Sequence, residues 1–129
     1  MSSVSRYFSL EEARSLLQQV LPELYRLVEL KKILEEKNYD INRHTYFGGA
    51  GPNGTKHYPL ELEELVGVME RFASYGVLVK SLDEGLIDFP HVRNNGEEVY
   101  LCYKLGEPDI LFWHPVDSGF AGRKSTTQL

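Results

Sequence analysis

The hydrophobic pattern changes period once, near residue 77, and that change limits the folds open to this chain. Before it, "SLEEARSLLQQVLPELYRLVELKKILEEKN" places Leu10, Ala13, Leu17, Val20, Leu24, Leu27 and Leu34 at three- and four-residue steps, one apolar stripe along a helix. After it, "VLVKSL", "LIDFPHVR", "EEVYLCYKL" and "DILFWH" follow a period of two, separated only by "DEG", "NNG" and "GEP". Connections this short join only antiparallel strands. The expected fold is α+β: a long helical hairpin packed on one face of a small antiparallel four-stranded meander sheet.

The 129 residues read as a single domain. Its parts are a helix over 9–38, a glycine-rich loop over 39–57, a helix over 59–75, the sheet over 77–114 and a C-terminal tail over 115–129. Ser9 and Glu12 have the spacing of a capping box at the first helix start. Pro22 should kink that helix or divide it, and Lys31 interrupts its stripe. In the second helix Pro59 suits the first turn, and Leu62, Leu65, Val66, Met69, Phe72 and Ala73 form the inner face. Gly67 within it suits a close approach between the helices.

Several function classes are excluded early. A net charge of −5, with Lys31-Lys32 and Arg123-Lys124 as the only adjacent basic pairs, does not suit a protein that reads a nucleic-acid backbone. Cys102 is the only cysteine, so neither an intramolecular disulfide nor a cysteine-based zinc knuckle can form. No secretory signal is visible at the N-terminus and no apolar run approaches the ~18 residues of a membrane span, so a cytoplasmic protein is expected. The stretch "GGAGPNGTK", residues 48–56, nearly matches a phosphate loop, but Thr55 precedes Lys56 and no strand leads into Gly48. A link between two helices accounts for its glycines.

Two-residue turns at "NNG" and "GEP" set an expected register. One sheet face then carries Asp88, Pro90, Val92, Val99, Leu101, Tyr103, Leu105, Ile110, Phe112 and His114. Being the more apolar, it should meet the helices, with Asp88 and His114 as the ionisable groups looking inward beside Tyr103. Their strands are not adjacent, so one ion would need a third ligand between them, for example Glu64 or Asp117. A three-residue turn at "NNG" would move Asp88 to the opposite face. The other face would carry Phe89, Cys102 and Trp113 in a row, either as an exposed subunit contact or covered by the tail. Cys102 reads more simply as a packing residue than as a nucleophile, and no G-x-S-x-G elbow is present. In the tail, Gly119 and Gly122 frame Phe120 and Arg123; the arginine either anchors the tail or holds an anion over a pocket.

The stretch "GLIDFPHVRNNGEEVYLCYKLGEPDILFWHPVDSGFAGR", with "FSLEEA" at Phe8–Ala13 and "YGVLVKSLDEGL" before it, resembles the small prokaryotic family known as domain of unknown function 2203. The resemblance spans nearly the whole chain, apart from the glycine-rich loop and the last residues. This chain departs from the family pattern at Tyr103, where the family has Trp, at Ser81, and at "RKS" after the last glycine. The resemblance implies no activity. It concentrates distinctive residues at Asp83, Asp88, Cys102, Glu107, Trp113, His114, Phe120 and Arg123.

The expected function is that of a self-associating binding or interaction protein, a homodimer formed through its helices or the row of Phe89, Cys102 and Trp113. The alternative is a small metal- or anion-binding enzyme with a pocket at Asp88 and His114 and with Arg123 or Glu107 at the rim. No substrate, reaction or cofactor is readable from these residues.

Overall fold

The computed structural model describes Val4, residues 6–39 and residues 59–129. The glycine-rich stretch 48–56, His44 and His57 lie outside the described residues.

Helix α1 spans Leu10–Glu36 as one continuous helix through Pro22, rather than two segments. It starts where the sequence requires: Ser9 Oγ accepts from the Glu12 amide at 3.0 Å, and Glu12 Oε1 accepts from the Ser9 amide at 2.8 Å. Its buried stripe is Ala13, Leu17, Val20, Leu24, Leu27, Leu30 and Leu34. Leu30 carries the stripe past Lys31, whose ammonium turns aside to Asp83 at 2.8 Å. Helix α2 spans Leu60–Tyr75 and buries Leu62, Leu65, Val68 and Phe72. Ion pairs Glu23–Arg71, Arg26–Glu64 and Lys37–Glu61 run up α1 and down α2, so the helices are antiparallel neighbours. These pairs are solvent-facing and add little stability.

Gly67 makes no close helix contact. A Cβ there would meet only Arg71 Nη1, at 3.9 Å. With no packing reason for glycine, Gly67→Ala is expected to stabilise the protein by about 0.4–1 kcal/mol, read as a raised denaturant midpoint at unchanged slope.

Strands β1 (Leu78–Ser81), β2 (Leu86–Val92), β3 (Glu98–Lys104), β4 (Phe112–Pro115) and β5 (Lys124–Ser125) form one antiparallel sheet in sequential order. The sheet has five strands rather than the expected four. The fifth is two residues of the tail, too short to show a period of two in the sequence.

The registers differ from expectation at both central turns. Asp88 lies opposite Cys102, and Cys102 opposite Phe112, so each pairing is offset by one residue. At the first turn, Arg93 N–H donates to Glu97 O and Gly96 N–H to Arg93 O, both at 2.8 Å. The turn is therefore three residues, Asn94–Gly96, with Gly96 in the left-handed region at φ 88°. The second connection runs from Leu105 to Leu111. Glu107 Oε1 accepts the Lys104 amide at 2.7 Å, and Tyr103 Oη donates to Glu107 O at 3.0 Å. Ile110, fully buried, plugs this longer loop into the core.

These offsets decide which side meets the helices. Ile87, Phe89, Val99, Leu101, Tyr103 and Trp113 share one face and merge with the helical leucines in a single core. Phe8 reaches over from before α1 and stands edge-on to Phe89, with ring centroids 5.4 Å apart. Asp88, Tyr100, Cys102, Phe112 and His114 share the opposite face. The expectation that Asp88 and His114 look toward the helices is thus overturned, and so is the row of Phe89, Cys102 and Trp113. Phe89 and Trp113 are core residues, and Cys102 points the other way.

Candidate functional site

Three adjacent strands supply one buried polar cluster on the face away from the helical core. Asp88 comes from β2, Cys102 from the facing position of β3, and His114 from β4, diagonal to Cys102. One donor atom from each lies within 4.8 Å of the other two. All are withdrawn from solvent: Asp88 is 1% exposed, Cys102 0% and His114 3%. A buried carboxylate and imidazole need partners.

The partners are specific. His114 Nδ1 lies 2.8 Å from the Pro115 carbonyl oxygen, which can only accept, so Nδ1 carries a proton. The other ring nitrogen, Nε2, is then turned toward Asp88 Oδ2 at 3.1 Å. Burial pulls the imidazole pKa down, but the Asp88 hydrogen bond and the Pro115 carbonyl outweigh it, and the net direction is upward. At Cys102 burial acts with the Asp88 charge, and the thiol is pushed up to about 12. In the metal-free chain this is a protonated, unreactive thiol. Asp88 Oδ1 is buried and has no hydrogen-bond partner.

Tyr100 and the C-terminal tail border the cluster. The Tyr100 ring stands edge-on to His114 at 5.5 Å, with Lys80 Nζ 4.9 Å from the Tyr100 ring centroid. A single 3₁₀ turn, Phe120–Gly122, leads into β5 and sets Arg123 above the sheet. Gly122 is required there, because a Cβ would lie 2.3 Å from Ser118 Oγ. The Arg123 guanidinium stacks 4.0 Å from the Phe112 ring centroid and 4.6 Å from that of Phe120. Its Nη2 donates to both Glu107 oxygens, at 2.7 and 2.8 Å.

Of the residues singled out from sequence, the structure joins Asp88 to His114 directly and joins Arg123 to Glu107 as a second pair. The third member of the first group is Cys102. Glu64 is held by Arg26 on the helices, and Asp117 lies in an exposed turn. The expected register puts Cys102 on the other face, and the one-residue offset at each turn brings it between the other two.

The structure is thus that of a two-helix, antiparallel-sheet α+β protein with a carboxylate, a thiol and an imidazole gathered under its C-terminal tail. Its sequence matches the family described as "Uncharacterized conserved protein (DUF2203)" over residues 6–126, and the chain belongs to that family. No curated protein and no solved structure matches it. No helix among the described residues is long and apolar enough to cross a membrane.

Proposed function

We propose that the protein binds one divalent transition-metal ion, of the zinc type, at Asp88, Cys102 and His114. The observation that carries this reading is the orientation of His114. The Pro115 carbonyl holds the proton on Nδ1 and leaves Nε2 facing the Asp88 carboxylate, with Cys102 in the same cluster of donors. Metal-ligating histidines are oriented in this way, with the second nitrogen donating to a carbonyl or carboxylate. One oxygen, one nitrogen and one sulfur donor form a borderline-soft set, which suits zinc or cobalt better than magnesium or calcium.

The distances support this. Bonds of about 2.0–2.3 Å around a tetrahedral ion place donors roughly 3.5 Å apart, so only small side-chain movements are needed. An ion would replace the proton shared by Asp88 and His114, release the thiol proton and take up the unpartnered Asp88 Oδ1 region. A cysteine ligand also suits the reducing conditions of the cytoplasm, the location expected from the sequence.

Titration of chelator-treated protein with Co²⁺ tests this reading. The expected result is one ion per chain, with a thiolate-to-cobalt charge-transfer band that disappears in Cys102→Ser. A folded protein that takes up no cobalt, or binds it equally after Cys102→Ser, would reduce the cluster to a buried Asp–His pair.

A further inference from the structure

We infer that Arg123 is a positioning residue for the metal site, donating its free Nε–H to the Cys102 thiolate that forms when the ion binds. The inference rests on the metal-binding reading above and adds a named function for the tail.

Arg123 is held in place by contacts that leave its buried Nε–H unsatisfied. Glu107 takes Nη2 through both oxygens and is itself anchored to the end of β3 by the Lys104 amide. Phe112 and Phe120 lie against the guanidinium. Nε is buried and has no acceptor. An arginine can donate five hydrogens, and a buried donor left without an acceptor is unfavourable by about 1–3 kcal/mol. The side chain is only 12% exposed, so bulk water does not readily supply that acceptor.

The position of the guanidinium indicates which acceptor it serves. Phe112, against which it stacks, is the register partner of Cys102. A neutral thiol is a poor acceptor, but a metal-bound thiolate is a good one. Metal binding therefore creates, on the adjoining strand, the acceptor that Arg123 lacks in the metal-free chain. Groups that hydrogen-bond a ligand orient it and tune the ion's affinity. The sheet supplies the ligands, while Gly122 and the 3₁₀ turn supply the group that stabilises one of them.

The test compares cobalt-loaded wild type with Arg123→Met, Arg123→Lys and Glu107→Gln. Arg123→Met is expected to weaken cobalt binding about 10–100-fold. It should also shift the thiolate-to-cobalt band to lower energy, because a sulfur that loses a hydrogen bond gives up its electrons more easily. Arg123→Lys, which keeps the charge, should recover part of the affinity. Glu107→Gln, which loosens the arginine without removing it, should fall between wild type and Arg123→Met. Loss of packing alone would lower stability but leave the band where it is. Wild-type affinity with an unshifted band in Arg123→Met would overturn the inference while the metal site stands. If Arg123→Met fails to fold, an unshifted band and wild-type affinity in both Arg123→Lys and Glu107→Gln would overturn it equally. Wild type that takes up no cobalt would remove the metal reading, and this inference with it.

Discussion

Phe89→Ala is expected to lower the stability of the protein by about 3–5 kcal/mol, measured by urea or guanidinium denaturation. Phe89 is fully buried, stands edge-on to Phe8 and belongs to the same core as the helical leucines. Removing the ring leaves a cavity at the junction of helix and sheet, where α1, β2 and β3 cannot all collapse inward together. Val92→Ala is the comparison. Val92 is in the same strand but is 40% exposed, and its loss should fall within about 0.5 kcal/mol. The expected two-residue turn would have reversed this order, with Val92 inward and Phe89 outward. A small effect at Phe89 and a large one at Val92 would mean that the sheet presents its other face to the helices.

Much of the architecture was legible because it depends on local chemistry. The switch of period near residue 77 marks two helices followed by an antiparallel sheet, and Ser9 with Glu12 marks the start of α1. What could not be read was parity. A strand shows both faces equally to a sequence argument, and only the length of each turn says which face is which. Asn94-Asn95-Gly96 forms a three-residue turn because Gly96 takes the left-handed position, and the connection after β3 is lengthened by Glu107 and Ile110. Each change moves a register by one residue.

The two offsets cancel for Asp88 and His114, which stay on one face, but they do not cancel for β3 between them. Two-residue turns therefore keep the pair together but separate it from Cys102, the third member of the buried cluster. β3 keeps its expected face toward the helices while β2 and β4 turn over, so a polar pair expected beneath the helices lies beneath the tail instead. The tail gave little in sequence because its structure depends on one close approach, Gly122 against Ser118, and on a two-residue strand. Neither leaves a periodic trace.

The buried pair gives the second large effect. In chelator-treated protein, Asp88→Ala or His114→Ala alone is expected to cost about 3–5 kcal/mol, because each leaves the other group buried without its partner. The double variant should lose clearly less than the sum of the two, since neither polar group is then left alone. The difference is the coupling between them, obtained from a double-mutant cycle of denaturation free energies. Cys102→Ala belongs outside this cycle: its neutral thiol contributes mainly volume in the metal-free chain, so its loss should be smaller. Zinc then separates a structural pair from a ligand set. An ion that binds the folded chain alone stabilises it by about 2.7 kcal/mol at 100 times its dissociation constant. That gain should appear in wild type and vanish in all three variants, because each removes a donor. Additive losses at Asp88 and His114 would mean that the two side chains are stabilised separately, and the 3.1 Å contact would then carry no coupling.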